Sequence, residues 1–299
     1  MTCMASGSDV RLAGWKSLSG RAQYVDAYRR AQELWEVPVE DREIPTRFGT
    51  THALVSGPAE APPVFLLHAA FGTGATQWFP NVVRLSRHHR LVALDFVGAP
   101  GLGEQTAPIL GRADCAAWLA DVIDSFDVDS VDLVGSSQGG WLSLNLAVAQ
   151  PDRVGSLALL APAASLMPFR RGAIISIRLG PYMPGWTAGP SMRPIFGGRY
   201  EIDHRMVDLL AMSLRHYRYQ QRPVYPDVFS DEELRSVRAR TLVMLGEKEI
   251  IYDPIPALDR AGSLIPTVQT ELVANAGHLL NIEQTELVDR QLLALLGSG

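Results

Sequence analysis

The sequence predicts an α/β protein: a mostly parallel central sheet flanked by helices. Three observations lead there. Short apolar runs without alternation recur at 63–68, 91–95, 131–135, 156–161, 241–245 and 270–274, as expected of strands covered on both faces. Helical patterns lie between them, and such alternation gives parallel strands joined by right-handed crossovers. One stretch, from about 166 to 238, breaks the rhythm and reads as an insertion between two core strands.

The elements follow in chain order. Residues 1–16 carry no clear periodicity. A helix is predicted over 18–35, where Tyr24, Ala27, Tyr28, Ala31, Leu34 and Trp35 recur at three-to-four spacing, and Pro38 ends it. REIPTRF (42–48) and THALVSG (51–57), separated around Gly49, read as two antiparallel strands. The apolar run at 63–68 is then the third strand and that at 156–161 the sixth. Helices are predicted over 112–126, which sets Ala116, Leu119, Val122, Ile123 and Phe126 on one side, and over 138–150 and 281–296. The stretch that breaks the rhythm holds Pro168, Pro181, Pro184, Pro190 and Pro194, with helical pieces near 169–179 and 203–220 and no strand of the parallel kind. A single domain follows, with its core at about 40–165 and 239–299 and an insertion at about 166–238.

Bulk properties narrow the function. The chain has 299 residues, 47% of them hydrophobic and 20% charged, which is ordinary for a soluble globular domain. A net charge of −5 gives no basic field to attract nucleic acid, and no nucleic-acid motif is present. No apolar run reaches bilayer length, and MTCMASGSDVRLAGWK lacks the basic start and apolar core of a signal peptide. Cys3 and Cys115 cannot make a disulfide framework, so a reducing, cytoplasmic setting is expected. No metal or organic cofactor is implied, because the histidines show no ligand spacing.

The densest chemical signal is VDLVGSSQGGW (131–141), which contains G-x-S-x-G as Gly135-Ser136-Ser137-Gln138-Gly139. An apolar strand precedes it and a helical pattern follows, which is the context a nucleophilic serine on a sharp strand-to-helix turn requires. The register assigns attack to Ser137 and leaves Ser136 a structural part.

A serine hydroxyl needs a base. Of seven histidines, His88 and His89 read as a solvated helix end, His52 as part of an edge strand, and His204 and His216 as part of the insertion. His68 ends a strand and reads as structural. His278 follows the last apolar strand and precedes the last helix, at the sheet edge where ligands bind in open α/β folds. An orienting acid should follow the strand at 241–245, where Glu247, Glu249 and Asp253 all qualify by spacing.

These motifs together resemble the α/β-hydrolase superfamily, and more narrowly its capped bacterial carboxylesterase-like serine hydrolases, from about residue 40 to the end. LLHAAFGTGATQW (66–78) resembles the oxyanion segment, and DFVGAPGLGE (95–104) the loop D-x-x-G-x-G-x-S. AVAQPDRVGSLALLAP (147–162) resembles the passage after the nucleophile. GEKEIIYDP (246–254) is similar to the acid motif G-x-x-[DE], and AGHLLNIEQ (276–284) to G-H-x-x-x-x-E. The resemblance implies an α/β-hydrolase fold with a helical cap inserted after the sixth strand. It implies Glu249 as the acid and the backbone N–H groups of Ala70 and Gln138 as the oxyanion hole. The sequence departs from the pattern at Ala69, where glycine is usual, and at Gly103, where serine is usual. An alanine costs energy wherever φ is positive, so a differently shaped oxyanion loop is expected at Ala69.

The implied activity is hydrolysis of a carboxylic ester of a small or medium-sized, partly apolar substrate, free or carrier-bound, through an acyl-enzyme on Ser137. Thioester, peptide or lactone hydrolysis, acyl transfer, cyclisation and C–C hydrolysis could use the same residues, and a non-hydrolytic ligand-binding protein could keep the same fold. Aspartate-nucleophile dehalogenases and epoxide hydrolases are disfavoured by Ser137. The cap carries Arg170, Arg171, Arg178, Arg193, Arg199, Arg205, Arg215, Arg218 and Arg222 against fewer acids, so an anionic substrate is one hypothesis and solvated helix faces the other. The apolar Ile174, Ile175, Met183, Trp186, Met192, Ile195, Phe196, Leu209, Leu210 and Met212 could line a pocket or dock the cap to the core.

Overall fold

The structure is a computed structural model that describes residues 10–173, 179, 182–197 and 201–297. Its apolar runs form the strands β1 (Glu40–Thr46), β2 (Gly49–Ser56), β3 (Pro63–Leu67), β4 (Arg90–Leu94), β5 (Val131–Ser136), β6 (Val154–Leu160), β7 (Arg240–Gly246) and β8 (Val268–Val273). They lie in the order β1-β2-β4-β3-β5-β6-β7-β8, with Glu104–Gln105 pairing beside the start of β2. The β1–β2 and β2–β4 pairings are antiparallel and the remaining pairings parallel. Leu66 and Leu67 of β3 and Leu157, Leu159 and Leu160 of β6 are fully buried, as strands covered on both faces must be; β8, at the sheet edge, departs from that expectation, since only Val273 in it is buried and Leu272 is 39% exposed.

Helices α1 (Leu18–Gln32), α2 (Gly74–Leu85), α3 (Arg112–Asp124), α4 (Gln138–Ala149), α5 (His204–His216), α6 (Pro254–Leu264) and α7 (Thr285–Leu296) complete the frame. The chain steps from β3 through α2 to β4 in one direction across the sheet, then returns past β3 through α3 to β5. Right-handed crossovers running in opposite directions put α2 and α3 on opposite faces. The carboxyl ends of β3 and β5 flank the point where the strand order reverses, which is where an open sheet leaves a crevice. Among the described residues no helix is long and apolar enough to cross a membrane.

Several sequence expectations change in detail. The helix predicted over 281–296 breaks at Gln284 into Leu280–Glu283 and α7. Two further helices, α2 and α6, interrupt the loops after β3 and β7. Prolines mask both: Pro80 sits inside α2, and Pro254 opens α6 behind the Asp253 cap. The helical piece at 203–220 stops at His216, and Tyr217–Arg218 turns into a short strand. Residues 171–173 are helical, and most of the predicted piece at 169–179 lies outside the described residues. His52 is not on an edge, because β2 pairs with both β1 and β4. His89 is buried at 5% exposure rather than solvated.

The N-terminal segment attaches to the insertion. Gly14–Trp15 pairs antiparallel with Tyr217–Arg218, and the Gln221 N–H donates to the Arg11 carbonyl at 2.9 Å. α1 packs against α5 through its buried stripe of Tyr24, Ala27, Tyr28 and Ala31. Ring contacts run from Tyr24 to Trp15 at 4.5 Å, to Tyr217 at 4.9 Å and to Tyr219 at 5.4 Å between successive centroids.

α2 and α7 are joined by a buried polar contact: the Asn81 amide donates to Asp289 Oδ1 at 2.7 Å. Burial pushes the Asp289 carboxyl up to about 6, against the opposing pull of the Asn81 bond. A raised carboxyl favours folding while it is protonated, and that contribution is lost as pH rises through about 6. Asp289→Asn keeps an acceptor for Asn81 and cannot ionise. Its melting temperature by circular dichroism should exceed that of the unaltered chain near pH ~8 and match it near pH ~4; an equal difference at both values would count against a buried, ionising Asp289.

Candidate active site

Ser137 occupies the junction between β5 and α4 with φ 51° and ψ −113°. A non-glycine residue held there stores on the order of 1–3 kcal/mol of strain. The turn is fixed on several sides. The Ser137 N–H donates to the Leu160 carbonyl at 2.9 Å, and the Ser137 carbonyl accepts from Ala163 at 2.9 Å and Trp141 at 3.1 Å. The motif glycines follow from close approach. A Cβ on Gly135 would stand 2.3 Å from the Gly139 carbonyl oxygen, and one on Gly139 would stand 2.2 Å from that of Leu67.

Three side chains expected from the sequence meet here. Ser137 Oγ lies 2.8 Å from His278 Nε2, and His278 Nδ1 lies 2.7 Å from Glu249 Oε2. All three residues are at most 5% exposed. A carboxylate facing Nδ1 places the proton there, so Nε2 accepts from the Ser137 hydroxyl. The remaining Glu249 oxygen, Oε1, accepts from the Ile251 N–H at 2.9 Å. The other two acids are occupied elsewhere. Glu247 accepts from the Asn275 N–H at 3.0 Å, and Asp253 caps α6 by accepting from Ile255 at 3.3 Å. The His278 loop is held by its own N–H, which donates to the Ile195 carbonyl of the insertion at 2.9 Å, and by Gly277, which donates to Glu283 at 2.8 Å. The last residue of the G-H-x-x-x-x-E motif thus pins the turn that carries the histidine.

After β3, His68 donates from Nδ1 to the Ala69 carbonyl at 2.7 Å and accepts at Nε2 from the Phe96 N–H at 3.3 Å. Burial lowers its pKa, so one neutral tautomer satisfies both contacts. The left-handed residue of this loop is Phe71, with φ 63°, and not Ala69. The reshaping expected at Ala69 therefore has no backbone cause. At Gly103 the absence of a side chain is required, since a Cβ would stand 2.2 Å from the Thr50 carbonyl oxygen. Ala70 and Gln138 line the same cavity as Ser137 and His278. Gln138 opens α4, where a backbone N–H has no intrahelical partner.

Two polar networks under the site carried no sequence signal. Gln77 of α2 accepts from the Ala69 N–H at 3.3 Å and donates to Ser136 Oγ at 3.3 Å and Asn281 Oδ1 at 2.8 Å. It thereby ties the loop after β3, the end of β5 and the segment following His278. Ser136 is the structural neighbour its register suggested. In the second network His52 lies between Asp95, 3.1 Å from Nδ1, and Asp41, 2.7 Å from Nε2. Burial opposes the charge on His52, yet the two carboxylates raise its pKa. Asp95 in turn accepts from Gly74 at 2.9 Å and Leu102 at 3.3 Å, anchoring the start of α2 and the loop after β4. Polar residues inside loops show no periodicity, so only their coordinates reveal such convergence.

A cavity of about 470 Å³ opens above Ser137, with Phe71, Phe96, Trp118, Trp141 and Tyr219 among its walls. Of the insertion arginines, Arg218 and Arg222 line it, whereas Arg205 pairs with Asp203 at 2.9 Å. Arg178, Arg199, Ile174 and Ile175 lie outside the described residues. Among the apolar candidates Ile195 lines the cavity, Phe196 and Leu209 are buried, and Trp186 is 80% exposed.

Comparison with known proteins gives the family. Residues 64–290 match the model of the alpha/beta hydrolase family. The chain is 34% identical over 280 residues to an uncharacterized carboxylesterase, nap, of Bacillus subtilis (strain 168), covering 91% of each chain. It is 32% identical to carboxylesterase YbfK of the same strain, over 93% of this chain and 94% of that one. The crystal structure of naproxen esterase from Bacillus subtilis superposes with a TM-score of 0.88 at 31% identity, covering 94% of this chain and 100% of the other. The chain belongs to the α/β hydrolase family. Within that family it is a carboxylesterase-like hydrolase.

Gln77→Leu would strand the Asn281 side-chain oxygen Oδ1 and the Ala69 N–H in the interior. A destabilisation of about 1–3 kcal/mol per unsatisfied group is expected, measured by urea unfolding; a change within error would show that the network is dispensable.

Proposed function

We propose that this chain hydrolyses carboxylic esters by a serine mechanism, with Ser137 as nucleophile, His278 as base and Glu249 as orienting acid. One observation carries the reading: the unbroken contacts of 2.8 and 2.7 Å from Ser137 through His278 to Glu249, buried at the floor of the cavity. Ser137 Oγ attacks the ester carbonyl while His278 Nε2 takes its proton. Glu249 holds Nδ1–H and stabilises the imidazolium. The backbone N–H groups of Ala70 and Gln138 receive the oxyanion, a contribution of about 2.7–4 kcal/mol for a single donor in comparable sites. His278 then protonates the departing alcohol, leaving an acyl group on Ser137. Water, deprotonated by the same imidazole, releases the acid and restores the serine.

The insertion acts as the cap in this reading. Its support is Ile195, which both lines the cavity and holds the His278 backbone. The aromatic walls favour a small, partly apolar ester as a free molecule. The carboxylesterase names of the two Bacillus relatives support the same reaction class. A reducing, cytoplasmic setting belongs to the same reading, with which Cys115, a buried free thiol, is compatible.

Turnover of para-nitrophenyl butyrate should be lost in Ser137→Ala, and a fluorophosphonate probe should label Ser137 by mass spectrometry. Glu249→Gln, which disturbs the tautomer, should lower kcat by roughly 10³–10⁴-fold with folding retained. A folded protein that neither turns over a panel of such esters nor takes the label would instead be a ligand-binding member of the fold.

A further inference from the structure

The cavity above Ser137 is electrostatically unlike the rest of the chain. The whole protein carries a net charge of −5. Arg11, Lys16, Arg218 and Arg222 all line the cavity, and no Asp or Glu is among its described lining residues. None of the four cations has a carboxylate partner within ion-pair distance among the described residues. Lys16 Nζ donates to the Arg215 carbonyl at 2.9 Å, a neutral partner that leaves its charge uncompensated.

The gathering is built by the fold. Arg11 and Lys16 lie in the N-terminal segment, Arg218 and Arg222 in the insertion, and the two segments are joined backbone to backbone at Gly14–Trp15 and Tyr217–Arg218. Lys16 N–H donates to the His216 carbonyl at 2.9 Å, extending that pairing. Beneath it two buried glutamines fasten the ribbon to the core. Gln105 accepts from the Ala13 N–H at 2.9 Å and donates to Gln220 at 2.6 Å, and Gln220 exchanges bonds with Ile109 at 3.0 and 2.7 Å. Gln220 also donates to the carbonyl of Arg222, a residue held at φ 60°. Tyr219 of the same ribbon meets Phe71 of the loop after β3 at 6.2 Å between ring centroids, so the basic ribbon borders the space above Ser137.

We propose that the substrates are esters bearing a second, free carboxylate, separated from the ester by an apolar span: the carboxylate rests on the Arg11, Lys16, Arg218 and Arg222 rim while the aromatic walls hold the span and the ester reaches Ser137. This rests on the serine-hydrolase reading for the reaction and adds the class of substrate. The chemistry of recognition is charge-assisted hydrogen bonding at the outer end, with attraction focused by low-dielectric aromatic walls.

The test compares the mono-para-nitrophenyl ester of suberic acid with para-nitrophenyl octanoate, which has the same chain length and no charge. The carboxylate ester should have a kcat/KM greater by roughly tenfold at about 20 mM salt, with the ratio falling toward one at about 0.5 M. Arg218→Gln combined with Arg222→Gln should collapse that ratio, whereas Arg238→Gln, whose side chain pairs with Asp152 far along the chain, should keep it. A ratio of one or less at low salt, or a ratio insensitive to salt, overturns the proposal and leaves the esterase reading standing; the salt series needs no variant to fold. If neither ester is cleaved, para-nitrophenyl butyrate and the fluorophosphonate label decide the esterase reading, which falls when both are negative. The rim is then judged by calorimetry on Ser137→Ala with phenylacetate against phenylacetamide: salt-sensitive preference for the anion supports it, and equal or absent binding overturns it.

Discussion

The left-handed backbone of Ser137 is the constraint on which the rest of the site depends. A serine at φ 51° has no reason to stay there by its own preference. It stays because β5 lies between β3 and β6, and because α4 starts so close to the end of β3 that a side chain on Gly139 would meet the Leu67 carbonyl oxygen. The neighbouring strands supply the bonds that hold the turn, through Leu160 and Ala163 on one side and His68, whose carbonyl accepts from Gly139 at 3.0 Å, on the other. The sheet order therefore does more than place the nucleophile at a crevice. It brings the loop after β3 into hydrogen-bonding contact with the first turn of α4, so that Ala70 and Gln138 flank the same space.

Strain of this size must be met by something that fails as a unit. Gln77 and Asn281 provide it. Asn281 donates to the Gln77 carbonyl at 2.8 Å and to Asn81 at 3.0 Å, while accepting from the Gln77 amide. A typical hydrogen bond adds about 1 kcal/mol net, but an orphaned buried group costs about 1–3 kcal/mol. A closed set of such contacts is therefore worth more for what its loss would cost than for what each bond contributes. The same logic applies to His52 between Asp41 and Asp95, where two carboxylates beside one imidazole favour a charged ring despite burial.

The readable part of this molecule was the part governed by periodicity and by obligatory residue types. Flat apolar runs announced β3 to β8, and the turn glycines announced Ser137, because sterics leave few alternatives at those places. His278 was legible through its place after the last strand. Glu249 was not separable from Glu247 and Asp253 by spacing; the resemblance to a family selected it, and the coordinates show the other two engaged with Asn275 and Ile255. The polar networks were illegible for a different reason. Gln77 and Asn281 are two hundred and four positions apart and meet only because α2 packs beside the Leu280–Glu283 turn. α2 itself was hidden by Pro80, whose missing N–H reads as a breaker even though the helix continues through it. The edge position expected of His52 fails because β2 pairs with β4 as well as with β1, and the pairing with β4 joins segments distant in sequence.

Charge shows how the two halves of the site divide their work. The buried Ser137, His278 and Glu249 belong to the sheet and its loops, where position is fixed by backbone packing. The cations that border the opening belong to the N-terminal ribbon and the insertion, which touch the sheet through aromatic rings and through Gln105 and Gln220. The two layers meet at Ile195, whose carbonyl in the insertion accepts from the His278 N–H at 2.9 Å. A change in the ribbon alters the field at the opening while leaving the contacts of 2.8 and 2.7 Å beneath it intact. The net charge of −5 opposes the approach of an anion to the chain as a whole, so in the proposed reading the local field of the ribbon must outweigh it at the opening above the serine.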